Sequence, residues 1–234
     1  MSEKPFDPNP THRNFYGRRH GKTLRRSQKG YLADDLGLLR PQGITHADNP
    51  ERRMLPENAI FGDDRPVWLE IGFGGGEHMV HMAARYPEIG IIGCEPFING
   101  VAMLVGKIKA AGVENVSVHP GDARDLMDVL PDGAIARAFL NYPDPWPKTR
   151  HHRRRFVTPE HLIPLHRVMA PDAEFRVATD IPSYVEQTLE EVPKAGFALV
   201  SHGTAPWDDW FSTRYEQKAL REGRPPAYLT FRRL

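Results

Sequence analysis

Val67-Trp68-Leu69-Glu70-Ile71-Gly72-Phe73-Gly74-Gly75-Gly76-Glu77 is the stretch whose reading decides the fold. The first five residues have the length and apolar character of a buried strand. The glycines that follow permit a tight turn and let a ligand approach the backbone. Glu77 to Tyr86 then reads as a helix. Strand, glycine turn and helix together open a strand–helix–strand unit.

The alternation continues outward from there. Gly90–Glu95 is a second strand candidate, and Asn99–Ala111 a helix with apolar residues at 101, 104, 105 and 108, stopped by Gly112. Val116–His119 and Ala134–Leu140 are further strands. Thr158–Met169 is helical, Ala173–Thr179 is a strand, and Ile181–Lys194 is a helix ending near Pro193. Phe197–Ser201 and Tyr228–Arg232 read as strands that pair antiparallel, joined by an insert with its own helix near Tyr215–Glu222. The expected fold is α/β: a mostly parallel, seven-stranded sheet with helices on both faces and an antiparallel C-terminal strand pair. Residues 1–60 differ, with few large apolar residues at regular spacing. They are expected to form a basic, partly disordered arm, mobile over about the first 20 residues and carrying a short helix near Ser27–Leu39. Residues 61–234 form the catalytic-type domain.

The chain has 234 residues, 40% of them apolar and 26% charged, with a net charge of only +1. Its distribution is more telling. Lys and Arg concentrate at Arg13, Arg18, Arg19, Lys22, Arg25, Arg26 and Lys29, and again over 148–155. Two local basic patches on a near-neutral chain point to a polyanion footprint. Cys94 is the only cysteine, which excludes an internal disulfide and fits a reducing cytoplasm. The start has no cationic segment followed by an apolar one, so no secretory signal is expected. No apolar run approaches the ~20 residues of a membrane span.

The glycine turn departs from the dinucleotide fingerprint. Counting Gly-x-Gly-x-x-Gly from Gly72 places Glu77 where the third glycine belongs. A glutamate at that helix N-terminus disfavours a pyrophosphate. Glu70 ends the first strand, where a carboxylate suits a cationic ligand. Glu95 ends the second, placed to accept from two ribose hydroxyls, and Asp122 follows the third, placed to reach an adenine amino group. Ligands of such folds bind at this carboxyl edge of the sheet. A ribose, an adenine and no phosphate describe S-adenosylmethionine better than NAD or ATP.

Residues 139–156 carry the second signal: Phe-Leu-Asn-Tyr-Pro-Asp-Pro-Trp-Pro-Lys-Thr-Arg-His-His-Arg-Arg-Arg-Phe. Pro143, Pro145 and Pro147 fix φ at alternate positions and push the residues before them toward extended conformations. Asp144 is held between two of them, with the indole of Trp146 two residues on. Trp146 is equally suited to stack on a base or to pack in the core. Lys148 and the run Arg150–Arg155 follow at once, suited to phosphates. His151 and His152 are adjacent and point in different directions, with no cysteine or third histidine nearby in sequence, so no metal is expected.

These residues resemble the bacterial tRNA (guanine-N7-)-methyltransferases, over most of residues 65–234 and more loosely over the basic arm. Asp144-Pro-Trp-Pro-Lys148-x-Arg150-His151 carries the resemblance most specifically. The Glu70–Gly76 turn, Gly93-x-Glu95, Gly121-Asp122-Ala123, Ala178-Thr179-Asp180 and Thr213-Arg214-Tyr215-Glu216 support it. The resemblance implies a Rossmann-like class I methyltransferase fold. It also implies S-adenosylmethionine as cofactor, bound by Glu70, Gly72, Gly74, Glu95, Asp122 and Asp144, with S-adenosylhomocysteine as product. Asp144 would be the catalytic acid. Lys148, Asp180, Thr213, Arg214, Tyr215 and Glu216 would contact tRNA. The implied reaction is methylation of guanine 46 in the tRNA variable loop, giving 7-methylguanosine in the cytoplasm with no obligatory protein partner.

Guanine N7 is an in-plane lone pair with no proton to remove, so attack on a sulfonium methyl needs no general base. Positive charge moves onto the base, and a fixed carboxylate beside it stabilises that charge. Asp144 suits this role, with Asp180 able to share it. Two other readings stand beside this one. Asn141-Tyr-Pro-Asp144-Pro-Trp nearly matches the Asn/Asp-Pro-Pro-aromatic motif of amino-group methyltransferases acting on adenine or cytosine. The chain is alternatively a non-catalytic RNA-binding module on a degenerate cofactor fold, against which the three intact acids argue.

Overall fold

The computed structural model describes residues 15–234. Arg13 and most of the segment expected to be mobile lie outside the described residues. A helical run comes first: α1 (Arg26–Gly30), a π-helical turn (Tyr31–Asp35) and α2 (Leu36–Leu39). Then follow β1 (Val67–Ile71), α3 (Glu77–Arg85), β2 (Gly90–Cys94), α4 (Ile98–Ala111), β3 (Val116–His119), α5 (Ala123–Met127) and β4 (Ile135–Asn141). A 3-10 helix (Thr149–Arg154) leads into α6 (Pro159–Val168), β5 (Met169–Thr179) and α7 (Pro182–Lys194). The chain closes with β6 (Phe197–Gly203), α8 (Arg214–Arg221) and β7 (Ala227–Arg233).

The seven strands form one sheet in the order β3-β2-β1-β4-β5-β7-β6. β1 pairs parallel with β2 and β4, and β7 runs antiparallel between β5 and β6. The α/β class, the mostly parallel sheet and the antiparallel C-terminal strands are as the sequence led us to expect. β5 is longer than expected: it begins at Met169, which pairs with Ile135 ahead of a register shift.

β1 shows why a buried parallel strand reads as a continuous apolar run. All five residues are buried, yet they alternate between two cores. Val67, Leu69 and Ile71 join Leu126, Leu162 and Val177 on one side, while Trp68 joins Met79, Leu104 and Phe139 on the other. Each such side chain contributes about 1.5–3 kcal/mol on burial. The order reverses beside β1, where β2 lies on one flank and β4 on the other, and there the strand ends open a crevice.

Residues 26–61 pack more closely than a loosely attached arm would, and that expectation is corrected. Leu36 and Ile44 are buried. Lys109 Nζ lies 2.9 Å from Asp35 Oδ1, and Ser117 Oγ donates to the Leu39 carbonyl at 3.0 Å. The Tyr31 ring sits so close to α4 that a Cβ on Gly106 would lie 2.7 Å from it. The π turn breaks the 3.6-residue spacing, so this apolar face has no regular period in the sequence.

Candidate functional site

The turn after β1 is built around glycines with positive φ: 69° at Gly72 and 56° at Gly74. Gly74 N–H donates to Glu95 Oε2 at 2.8 Å, and Phe97 N–H donates to Glu95 Oε1 at 2.9 Å. The carboxylate ending β2 thereby ties the two neighbouring loops together. Burial pushes the Glu95 carboxyl above its usual range, the two backbone donors oppose this, and the Asp144 charge adds to the rise.

A cleft of about 1350 Å³ opens over these strand ends and brings together Gly72, Gly74, Glu95, Asp122, Asp144 and Tyr215. Glu70 does not line it. Its Oε2 lies 2.7 Å from His78 Nδ1, and both side chains are buried beneath the turn. Asp122 lines the cleft but also caps α5, accepting from Arg124 N at 2.9 Å. Its Oδ2 lies 2.6 Å from Arg124 Nη2. Burial would raise the Asp122 carboxyl, but hydrogen bonds and charge from Arg124 outweigh it and hold the group below its usual range. Glu77 lies in the first turn of α3, where Lys107 Nζ is 2.6 Å from its Oε1.

Asp144 stands at the mouth of the cleft. The residues before two of the prolines are not extended as expected: Tyr142 has φ 49° and Trp146 has φ 42°. A left-handed conformation is uncommon outside glycine and costs on the order of 1–3 kcal/mol. Tyr142 N–H still donates to the Ala178 carbonyl at 2.8 Å, continuing the β4–β5 pairing. The chain must therefore turn sharply at the strand end, and Asp144 projects between two left-handed residues. Burial raises the Asp144 carboxyl, and the Arg18 charge partly offsets this.

Trp146 is not a core residue. It is half-buried and lines the cleft, with the Arg154 guanidinium 5.0 Å from its ring centroid. The same guanidinium lies 4.8 Å from the ring of Tyr16. Phe15 to Arg18 also line the cleft, and the following residues are tied to α4: Ile98 N–H donates to the Arg19 carbonyl, and the Asn99 amide bridges Gly21 and Lys22. Nothing in the sequence beyond the basic cluster signalled that this segment reaches the cleft.

The remaining candidates divide. Lys148 is exposed at the start of the 3-10 helix. Asp180 Oδ2 accepts from Arg224 Nε at 2.6 Å. Thr213 caps α8, its hydroxyl accepting from Glu216 N at 3.3 Å. Glu216 is buried, receiving a hydrogen bond from Trp210 Nε1 at 2.9 Å and another from the Tyr228 hydroxyl. In this structure Thr213 and Glu216 fasten α8 to the sheet. Arg214 is half-buried, its Nη1 3.7 Å from Met103 Sδ, and the exposed Tyr215 ring stands over the turn, 3.0 Å from where a Cβ on Gly74 would lie. Arg155, grouped by sequence with the phosphate-gripping run, is buried and does not share the exposed face of that run. Among the described residues no cluster of three or more His, Cys, Asp or Glu is placed to hold a metal. No helix among them is long and apolar enough to cross a membrane.

Residues 64–229 match the Methyltransf_4 family model, described as "Putative methyltransferase". The chain is 81% identical over 233 residues to the tRNA (guanine-N(7)-)-methyltransferase of Paracoccus denitrificans (strain Pd 1222), covering 100% of this chain and 99% of that one. It is 44% identical over 241 residues to the protein of the same description from Rhodospirillum rubrum, covering 100% of this chain and 91% of that one. The chain belongs to the tRNA (guanine-N7-)-methyltransferases. Among solved structures, the 16S rRNA methyltransferase KamB aligns with a TM-score of 0.57 at 18% identity, covering 80% of this chain and 93% of that one. An antibiotic-related methyltransferase aligns at 0.56, also 18% identical, covering 76% and 94%. At that identity the likeness is one of fold alone.

Proposed function

We propose that this methyltransferase moves the methyl group of S-adenosylmethionine to N7 of guanine 46 in the variable loop of tRNA, forming 7-methylguanosine in the cytoplasm. The observation that carries the reading is the meeting of Glu95 and Asp144 in one cleft, bounded by a glycine turn on one side and a cationic, aromatic wall on the other.

The donor suits the residues present. Gly72 leaves backbone exposed at the strand end, and each Glu95 oxygen has spare acceptor capacity beside its single backbone bond. Glu95 would hold the ribose hydroxyls, Asp122 the adenine edge, and Gly72 and Gly74 the amino-acid portion. Glu70 would act from beneath, bracing the turn through His78. When bound, the donor supplies an electrophilic methyl on a positively charged sulfur.

Asp144 needs no proton in this reaction. Its carboxylate accepts from guanine N1–H and the exocyclic amine, which sets N7 toward the donor side of the cleft. As positive charge develops on the base, the same carboxylate stabilises it without reorganising, because the flanking prolines hold it fixed. Trp146, stacked with Arg154, offers a flat face for the base. Lys148, Arg150, Arg153 and Arg214 would bind backbone phosphates, and Asp180 and Tyr215 would border the substrate. The basic residues from Arg18 to Arg26 would extend the same footprint.

Transfer of labelled methyl from S-adenosylmethionine to unmodified tRNA tests this reading. The wild-type protein should label tRNA, and Asp144→Asn should lose about 3 kcal/mol of transition-state stabilisation, on the order of 100-fold in turnover. An Asn variant that turns over like wild type would remove Asp144 from the chemistry.

A further inference from the structure

Arg155 stands at the end of the basic run, yet it is 99% buried and turned away from solvent. Its guanidinium makes five hydrogen bonds. Nε and Nη2 both donate to the Pro145 carbonyl, at 3.0 and 2.8 Å. Nη1 donates to the Ser183 carbonyl at 2.8 Å and to Gln187 Oε1 at 3.1 Å, while Nη2 also reaches Ser183 Oγ at 2.9 Å. Gln187 is itself aimed by a bond from its Nε2 to the Val157 carbonyl at 2.9 Å. The cation lies 4.9 Å from the centroid of the Tyr184 ring. Every one of these acceptors is neutral.

A buried cation without a carboxylate partner is costly, and burial holds the Arg155 guanidinium below its usual pKa. A neutral side chain would avoid that cost, so its fixed five-donor fork is what distinguishes it. The fork joins the first turn of α7 to the carbonyl of the residue immediately after Asp144. Between that carbonyl and the Asp144 Cα stand a planar peptide and a proline with φ locked. The two ψ angles that remain include that of Asp144, itself restricted because a proline follows. Holding Pro145 O therefore restrains the backbone at Asp144, from which the carboxylate projects.

We infer that Arg155 is a positioning residue for methyl transfer: it holds the Asp144 loop against α7 and makes no phosphate contact. The inference rests on the proposed role of Asp144. It acts mainly on the reaction, because the fork's bonds run to Pro145, Ser183 and Gln187 and not to the donor-binding strand ends, and phosphate contacts supply most of the affinity for a nucleic acid. Lysine keeps the charge but has three donors on one nitrogen and no planar fork, so it cannot keep all five hydrogen bonds, and Arg155→Lys isolates the geometry from the charge.

The test measures kcat, KM for tRNA, donor affinity by calorimetry, and the salt dependence of tRNA affinity for wild type and Arg155→Lys. The substitution is then repeated in the Asp144→Asn background under single-turnover conditions. A displaced reacting group costs up to ~100-fold, and a loss of that order is expected in kcat alone. KM, donor affinity and salt slope should stay close to wild type, and the kcat loss should vanish once Asp144 is already Asn. Gln187→Ala, which removes one distant anchor and leaves Arg155 in place, should show a smaller loss of the same kind, and it carries the test if Arg155→Lys fails to fold. An unchanged kcat, or an equal loss in both backgrounds, would overturn the inference. So would a salt slope flattened by about 0.7–0.9 in the charge-removing Arg155→Gln, the mark of a lost phosphate contact. An inactive wild type would instead overturn the methyl-transfer reading on which the inference stands.

Discussion

Glu70 Oε2 lies 2.7 Å from His78 Nδ1, and the two side chains are buried under the turn that joins β1 to α3. The pair ties the end of β1 to the first turn of α3, and so braces the glycine turn between them. Removing Glu70 leaves the buried His78 Nδ1 with only the longer contact to Asn141 Nδ2 at 3.3 Å, and losing a buried hydrogen bond costs about 1–3 kcal/mol. Glu70→Ala should therefore lower unfolding free energy in urea by that amount, whereas Glu70→Gln, which keeps an acceptor and the shape, should lose less. Equal stability of all three proteins would show that the pair is not a brace.

Glu95→Ala should weaken S-adenosylmethionine and S-adenosylhomocysteine together, since the two ligands share a ribose. Two lost hydrogen bonds to a charged group correspond to roughly 2–4 kcal/mol. Calorimetry with both ligands checks this. Normal affinity for both, combined with lost tRNA binding, would place the ribose elsewhere.

The pH dependence of turnover follows from the environment of Asp144. Burial lifts its carboxyl above the ordinary 3.8, and the Arg18 charge pulls it back. The ionised form is the working form, so turnover holds above the raised pKa and falls as pH drops through it, at a higher pH than for an ordinary aspartate. Arg18→Gln removes the lowering influence and should move this acid limb to still higher pH. A shift to lower pH would contradict the assignment. Stability runs the opposite way for this group: the folded chain binds the proton more readily than the unfolded chain, so acidification between the two pKa values favours the fold.

Much of the site was legible because its parts lie at strand ends. Glu95 and Asp122, which line the cleft, follow the apolar runs before them, and the Pro-flanked Asp144 its own neighbours, whereas Glu70, expected beside them, is buried outside the cleft. What the sequence hid was partnership. His78 lies eight residues from Glu70, across a turn whose geometry depends on φ at three glycines. Arg155 looks like its neighbours Arg153 and Arg154, since nothing in a run of like charges tells which one is buried. Ser183 and Gln187, which receive its donors, lie about 30 positions away. Tyr142 and Trp146 precede prolines and were expected to be extended, but the turn at the end of β4 overrides that local preference. The face of α1 and the π turn that packs on α4 escaped notice because the π turn disrupts its period.

The basic segment offers a prediction about substrate. Arg18, Arg19, Lys22, Arg25 and Arg26 are exposed, while the backbone around them is anchored to α4. Replacing Arg19, Lys22, Arg25 and Arg26 with Gln keeps the anchoring and removes the charge. Each lost phosphate contact should flatten the dependence of log affinity on log salt by about 0.7–0.9. Weaker tRNA binding with a reduced slope and unchanged donor affinity is expected. Equal slopes and affinities would make the segment a passive one.

The most direct measurement is nucleoside mapping of unmodified tRNA after incubation with the purified protein and labelled S-adenosylmethionine. The label should appear as 7-methylguanosine at position 46 and be lost from a transcript in which that guanine is replaced. Label on an exocyclic amine of adenine or cytosine, or none at all with wild-type protein that binds the donor, would contradict the account.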